Sequence, residues 1–279
     1  MRWTRAVAIA AIVICFLPAT RCTGQESAER ENRRLCKDAD PDIRIVTCTA
    51  LIKSGQESNE NLAVAFISRG IAYRKKKQYD LAIKDYDQAI RLNPSDSAAF
   101  DDRGIAYKKK KQYDRAIGDY DQAIRLNPND AHAFANRGSA YDDKRQYDRA
   151  INDFDKASSI DPNYANAFNG RCWTRALSGD LERALPDCNE SLRLRPDDAD
   201  TLGSRGLVYL KMKEFDLAIA DYSEALTRST DFIASSLYGR GLAERAIGKS
   251  AEADRDVAAA KRVDPGIADE FSNYGASAR

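Results

Sequence analysis

Downstream of residue 62 the apolar positions fall into two alternating triplets. Phe66, Gly70 and Tyr73 stand at i, i+4 and i+7, and Ala82, Tyr86 and Ala89 repeat that spacing after a polar turn. A helix completes a turn every 3.6 residues or about that, so each triplet lines one face, and two facing stripes are defined. Asn93 and Pro94 end the second helix, because the residue before a proline is pushed out of the helical region. The unit then recurs at a spacing of 34 residues, through Pro94, Pro128, Pro162 and Pro196 and through Phe66, Phe100, Phe134 and Phe168. The phenylalanine column continues through Leu202 to Leu237, after a one-residue insertion.

Two more columns run alongside. One holds Gly70, Gly104, Gly138, Gly206 and Gly241, with Cys172 in the fourth unit, and the other holds Ala82, Ala116, Ala150, Ala184, Ala218 and Ala253. Glycine inside a helix costs about 1 kcal/mol relative to alanine, so its recurrence predicts that a backbone comes close there, with Ala82 and Ala89 on the other side of the approach. The large-small-aromatic order of the first helix, the small-aromatic-small order of the second and the closing proline make residues 63 to 267 resemble the tetratricopeptide repeat.

That resemblance implies an all-α fold, a right-handed superhelical α-solenoid of antiparallel helix hairpins. Its units are expected at 63–96, 97–130, 131–164, 165–198, 199–233 and 234–267. Later units depart from the pattern: Arg175 and Glu244 replace the aromatic seen at Tyr73, Thr230 replaces a closing proline, and Val257 replaces the aromatic seen at Tyr86. Residues 25–62 read as a degenerate leading hairpin that shields the first unit. There Asp40 caps and Pro41 opens a helix running through Ile43, Ile45, Val46 and Leu51 to a stop at Gly55. A C-terminal capping helix is expected over 268–279, entered at Gly266, with Ile267, Phe271 and Tyr274 as its apolar contacts.

Residues 1–24 read as an export signal. Arg2 and Arg5 precede an apolar run from Ala6 to Leu17 that is too short for a span of about 20 residues, and Pro18 breaks it. Cleavage is expected after Gly24, with Cys22 as the alternative, and Arg21 stands where lipidation of Cys22 requires a small residue. The expected location is periplasmic or secreted, with no stable membrane insertion after cleavage.

Charged residues make up 31% of the chain and nearly cancel at +1; loss of Arg2, Arg5 and Arg21 with the signal leaves −2. Such balance excludes the basic field of a sequence-independent nucleic-acid binder. The single histidine, His132, removes most metal sites and most general-base mechanisms. No phosphate-binding loop, dinucleotide fingerprint, His-Glu-x-x-His, Ser-x-x-Lys or Cys-x-x-Cys occurs. No catalytic residue, cofactor or metal is therefore assigned.

Hairpin symmetry pairs the four cysteines of the mature chain. Cys172 and Cys188 lie at equal distances from a turn near Asp180, and Cys36 and Cys48 at equal distances from Asp42, so bridges Cys36–Cys48 and Cys172–Cys188 are expected in an oxidising compartment. The alternative is buried free thiols. The same symmetry levels Arg69, Arg103, Arg137, Arg171, Arg205 and Arg240 with Asp85, Asp119, Asp153, Asp187, Asp221 and Asp256, predicting a structural ladder of Arg–carboxylate contacts, within or between units. Arg74–Lys77 and Lys108–Lys111 fall at first-helix C-termini, where cations complement the helix dipole. Pro186, inside a second helix, is expected to kink it.

The family resemblance further implies an adaptor that binds a protein or peptide on the concave face of successive first helices. Here that face carries Asp101, Asp102, His132, Asn136, Asn166, Asn169, Trp173, Ser204 and Tyr238. Trp173 serves either as an interface anchor or as packing on the adjacent cysteine bridge. Asp101 and Asp102 stand where cations would be needed to clamp a peptide's terminal carboxylate, which disfavours that ligand. The other readings are a scaffold touching anionic lipid or cell-wall polymer through its basic ridges, and an envelope enzyme with an unrecognised site.

Overall fold

The computed structural model describes residues 30–37, 40–231 and 233–276, and every regular element among them is an α-helix. The expected export signal lies outside the described residues. The helices are α1 (residues 30–37), α2 (Pro41–Ser54), α3 (Asn59–Lys75), α4 (Tyr79–Leu92), α5 (Ser97–Lys109), α6 (Tyr113–Leu126), α7 (Ala131–Asp143) and α8 (Tyr147–Ile160). They continue with α9 (Ala165–Ser178), α10 (Leu181–Leu194), α11 (Ala199–Met212), α12 (Phe215–Arg228), α13 (Ile233–Ala246), α14 (Ser250–Val263) and α15 (Ile267–Asn273). Two compact units result, the first ending at Pro94 and the second starting at Ser95. Within each, consecutive helices pack as antiparallel hairpins, α3 on α4 in the first and α5 on α6 through α13 on α14 in the second.

Local chemistry sets the helix ends. Ser58, Asp96, Asp130 and Asp198 cap α3, α5, α7 and α11, their side-chain oxygens accepting from backbone N–H groups of the first turn. Asn93, Asn127, Asp161 and Arg195 leave the helical region just before a proline. Each intervening hairpin turns on one left-handed residue: Lys77, Lys111, Arg145, Gly179, Lys213 and Gly248, with φ from 58° to 88°. Helix α10 runs on through Pro186.

The glycine column does make room for a close neighbour, but that neighbour is first an aromatic ring. A Cβ at Gly70 would lie 2.7 Å from Tyr86 Cε1, and one at Gly104 would lie 2.6 Å from Tyr120 Cε1. At Gly138 and Gly241 a carbonyl, that of Ala150 or Ala253, is among the nearest atoms, at 3.2 and 3.1 Å. In the fourth hairpin the glycine and the ring are replaced by Cys172 and Cys188, whose sulfurs are bonded, with Cα atoms 5.4 Å apart. Cys36 and Cys48 are bonded likewise, tying α1 to α2 with Cα atoms 4.9 Å apart.

Helix α2 starts on Pro41 behind the Asp40 cap and stops at Gly55, which has φ 67°. Its buried face is Thr47, Cys48 and Leu51, while Ile43 and Val46 are 45% and 61% exposed. Val46 points away from the stripe centred between Thr47 and Cys48, whereas Ile43 lies one turn ahead of Thr47, in the first turn of the helix.

Every Arg of the predicted ladder grips its Asp within the same hairpin, sixteen residues on, through Nε and Nη2, at distances between 2.5 and 3.1 Å. The third guanidinium nitrogen reaches the preceding hairpin. Arg137 Nη1 donates to Asp121 and Arg171 Nη1 to Asp155, both at 2.6 Å, and Arg205 Nη1 donates to Asn189 at 2.9 Å. The contact is therefore both within and between repeats. The phenylalanine column completes it, since Arg69, Arg103, Arg137 and Arg171 lie over Phe66, Phe100, Phe134 and Phe168 at 5.3 to 5.6 Å from the ring centroids. No helix among the described residues is long and apolar enough to cross a membrane.

Candidate interaction face of the second unit

In the second unit the first helices α5, α7, α9, α11 and α13 touch one another in succession, whereas the second helices meet only first helices and α15. The first-helix layer is the tighter one, so the stack curves with that layer inside. Polar side chains on this inner layer pair across adjacent helices. Asn136 Nδ2 donates to both Asp101 oxygens at 3.0 and 3.1 Å. Burial pushes the Asp101 carboxyl up to about 6, against the pull of that hydrogen bond. His132 Nδ1 lies 3.0 Å from the Tyr164 hydroxyl, with the rings 4.5 Å apart. Asn166 Oδ1 accepts from Arg195, and Asn169 Nδ2 donates to Asp200 at 2.9 Å. Asp102 is half-buried on α5.

Two of the residues expected on this face are almost wholly buried. Ser204 is 3% exposed and its hydroxyl donates to the Asp200 carbonyl; Tyr238 is 6% exposed and its ring lies 5.0 Å from Phe271. Helix α15, which folds against α13, covers Tyr238. Its Tyr274 meets Trp173 edge-on at 5.1 Å, and Lys211 Nζ donates to the Tyr274 carbonyl at 2.8 Å. Trp173 thus packs on the C-terminal helix while staying half-buried.

Between α7, α9, α11 and α15 a cavity of about 420 Å³ is left open. Trp173, Asn169 and Ser204 line it, together with Asp142, Asp143 and Thr174, with Asp200 and Gly203, and with Glu270 and Phe271. Thr174 Oγ1 donates to Asp142 at 2.9 Å, and burial still raises the Asp142 carboxyl to about 6. Burial raises Asp200 too, and it lowers the Lys211 ammonium. The acidic wall was not singled out in the sequence, although a signal was there: the column of Arg74 and Lys108 continues as Asp142, and that of Lys75 and Lys109 as Asp143. The sequence places Phe271 among the apolar contacts of a capping helix, but no spacing could show that this helix would also bring Glu270 to the cavity.

An inner layer of first helices, an outer layer of second helices and a repeated ring-on-glycine contact define a helical-hairpin repeat protein. The tetratricopeptide repeat model matches residues 63–96, 131–164 and 199–231, and a second TPR repeat model matches 104–144. Over the matched residues the chain is built of tetratricopeptide repeats. Among solved structures, a tetratricopeptide repeat protein from Parabacteroides merdae is 19% identical with a TM-score of 0.70, over 90% of this chain and 98% of that one. Another, pilF of Pseudomonas aeruginosa, is 18% identical with a TM-score of 0.65, over 77% of this chain and 99% of that one. YrrB, a TPR protein described as having an unusual peptide-binding site, is 21% identical with a TM-score of 0.50, over 69% of this chain and 97% of that one. Comparison with curated proteins returned no match. At these identities the likeness concerns the fold.

Proposed function

We propose that the chain is an exported adaptor that holds a partner protein or peptide on the inner, first-helix face of its second unit, without catalysing a reaction. The observation that carries this reading is the cavity of about 420 Å³ on that face, walled by rigid helices whose polar side chains are already oriented by one another. Such preorganisation lowers the ordering cost of binding. Tetratricopeptide-repeat proteins commonly act as scaffolds, and YrrB's description names a peptide-binding site. Export is supported by the arginine-flanked apolar run at residues 6–17 and by the two cysteine bridges, which suit an oxidising compartment.

A photo-crosslinking amino acid placed at Ser139 or Ser235, both lining the cavity, is expected to capture a partner, whereas the same group at the exposed Lys156 on the outer helix α8 captures none. Equal capture from both faces would reject the inner-face reading. Fractionation with N-terminal sequencing tests export: the expected product is an envelope or medium fraction starting at Gln25 or at Thr23, and an uncleaved chain in the cytosol would reject it.

A further inference from the structure

The cavity gathers more negative charge than the cations near it, Lys108 and Arg195, pair directly. Asp142, Asp143, Asp200 and Glu270 line it, and none of its lining residues is a lysine or an arginine. Lys108 offsets Asp143 at 3.4 Å, but Asp142, Asp200 and Glu270 have no ion pair among the described residues. Lys211, close by in the fold, already donates to the carbonyls of Ala176 and Tyr274. Burial keeps Asp142 and Asp200 raised, which means that each carboxylate gains from an arriving cation.

Two neutral groups point to the same chemistry. Asn169 is 8% exposed, and while its Nδ2 serves Asp200, its buried Oδ1 has no partner. The hydroxyl of Tyr222, a residue 2% exposed on α12, is likewise buried without a partner, and both residues line the cavity. A buried acceptor left unpaired is costly, so a donor is wanted there. The indole of Trp173 and the ring of Phe271 stand beside these acids, a combination that suits an alkyl stem with a charged tip.

We propose that the cavity seats a lysine or arginine side chain from a basic segment of a partner protein, with its stem on Trp173 and Phe271 and its head among Asp142, Asp200 and Asn169. This rests on the inner-face reading and adds the partner's chemistry to it. A protein segment fits better than a free amine because the inner face carries a further carboxylate beyond the cavity, Asp101 on α5, so a second cation along an extended chain meets complementary charge.

The test uses the full chain and three fluorescein-labelled peptides, one arginine-rich, its glutamate counterpart and a glycine–serine control, read by fluorescence polarisation. Only the arginine peptide is expected to bind. Asp142→Asn combined with Asp200→Asn removes two charges at constant shape. Gly203→Leu leaves every charge in place but fills the cavity, since a Cβ at Gly203 meets nothing within 4 Å. Each variant, checked for an unchanged helical circular dichroism spectrum, is expected to weaken the arginine peptide by about tenfold or more. Binding of that peptide unaltered by either variant, or no binding at all, overturns the proposal. Spermidine binding with the same variant sensitivity while the peptide does not bind assigns the cavity to a small polyamine and overturns it too. If the peptide fails but Ser139 still captures a partner, the inner-face reading survives; if both fail, it falls as well.

Discussion

Gly104 and Gly118 lie on the two helices of one hairpin, and substituting alanine has opposite consequences at the two places. A methyl at Gly104 would sit 2.6 Å from the fully buried Tyr120 ring, which has nowhere to retreat, whereas a methyl at Gly118 meets nothing within 4 Å. Gly118→Ala is expected to raise stability by up to about 1 kcal/mol through helix propensity alone. Gly104→Ala gains the same term but loses more to overpacking, on the order of 1–3 kcal/mol. Urea unfolding of the two variants measures both signs. The Arg–Asp pairs behave as a residue-scale device of another kind. Asp153 is nearly buried, and removing it by Asp153→Ala leaves Arg137 with only Asp121 and an aromatic stack, so a loss of about 3 kcal/mol is expected. Adding Arg137→Ala to that variant should cost much less than it does in the wild type, and additive losses would show that the pair is not coupled.

At the scale of the helix pair, the spacing of Phe66, Gly70, Tyr73, Ala82, Tyr86 and Ala89 made the hairpins legible, because an interior face repeated so often admits one periodicity only. The identity of the group filling the glycine notch was less legible, since spacing reports which faces meet and not which atoms touch. The fourth hairpin shows the difference well. Its glycine-column residue is Cys172 and its ring-column residue is Cys188, so a covalent link takes the place of the ring-on-glycine contact of Gly70 and Tyr86. Closing a loop of sixteen residues' separation contributes up to about 3 kcal/mol in the chain-entropy picture. Cys172→Ser with Cys188→Ser is therefore expected to lower stability by about that amount, and to do so in the second unit, where limited proteolysis would first cut near α9 and α10. Non-reducing peptide mapping that recovers four free thiols from the native protein would contradict both bridges.

For the whole molecule, the inner face was legible as a place and only partly as a chemistry. Asp101 and Asn136 serve each other there, His132 pairs with Tyr164 and Asn169 with Asp200, and Tyr238 is covered because a C-terminal segment distant in sequence packs on it. The consequence of gathering carboxylates on that face is a pH dependence opposite to the common one. Asp101 faces Asn136, Asp102, Asp130 and His132, while Asp142 faces Asp143, Lys108, Thr174, Trp173 and Tyr274; burial raises both to about 6. An unfolded aspartate titrates near 4, at about 3.9, so between that pH and about 6 the folded chain holds protons that the unfolded chain has released. Stability from these two groups is then fully present below about pH 4 and is lost as pH rises through 6, by about 2 to 3 kcal/mol per group at most. Urea midpoints at pH 5 and pH 7.5 measure it. Asp101→Asn with Asp142→Asn is expected to raise the midpoint at pH 7.5 and to shrink the gain seen on acidification, and a double variant that keeps the wild-type gain would place its origin elsewhere. Ligand binding should move the other way, because the proton that relieves Asp142 also removes the charge that an arriving lysine or arginine would meet; the arginine peptide is thus expected to bind more weakly at pH 5 than at pH 7.5.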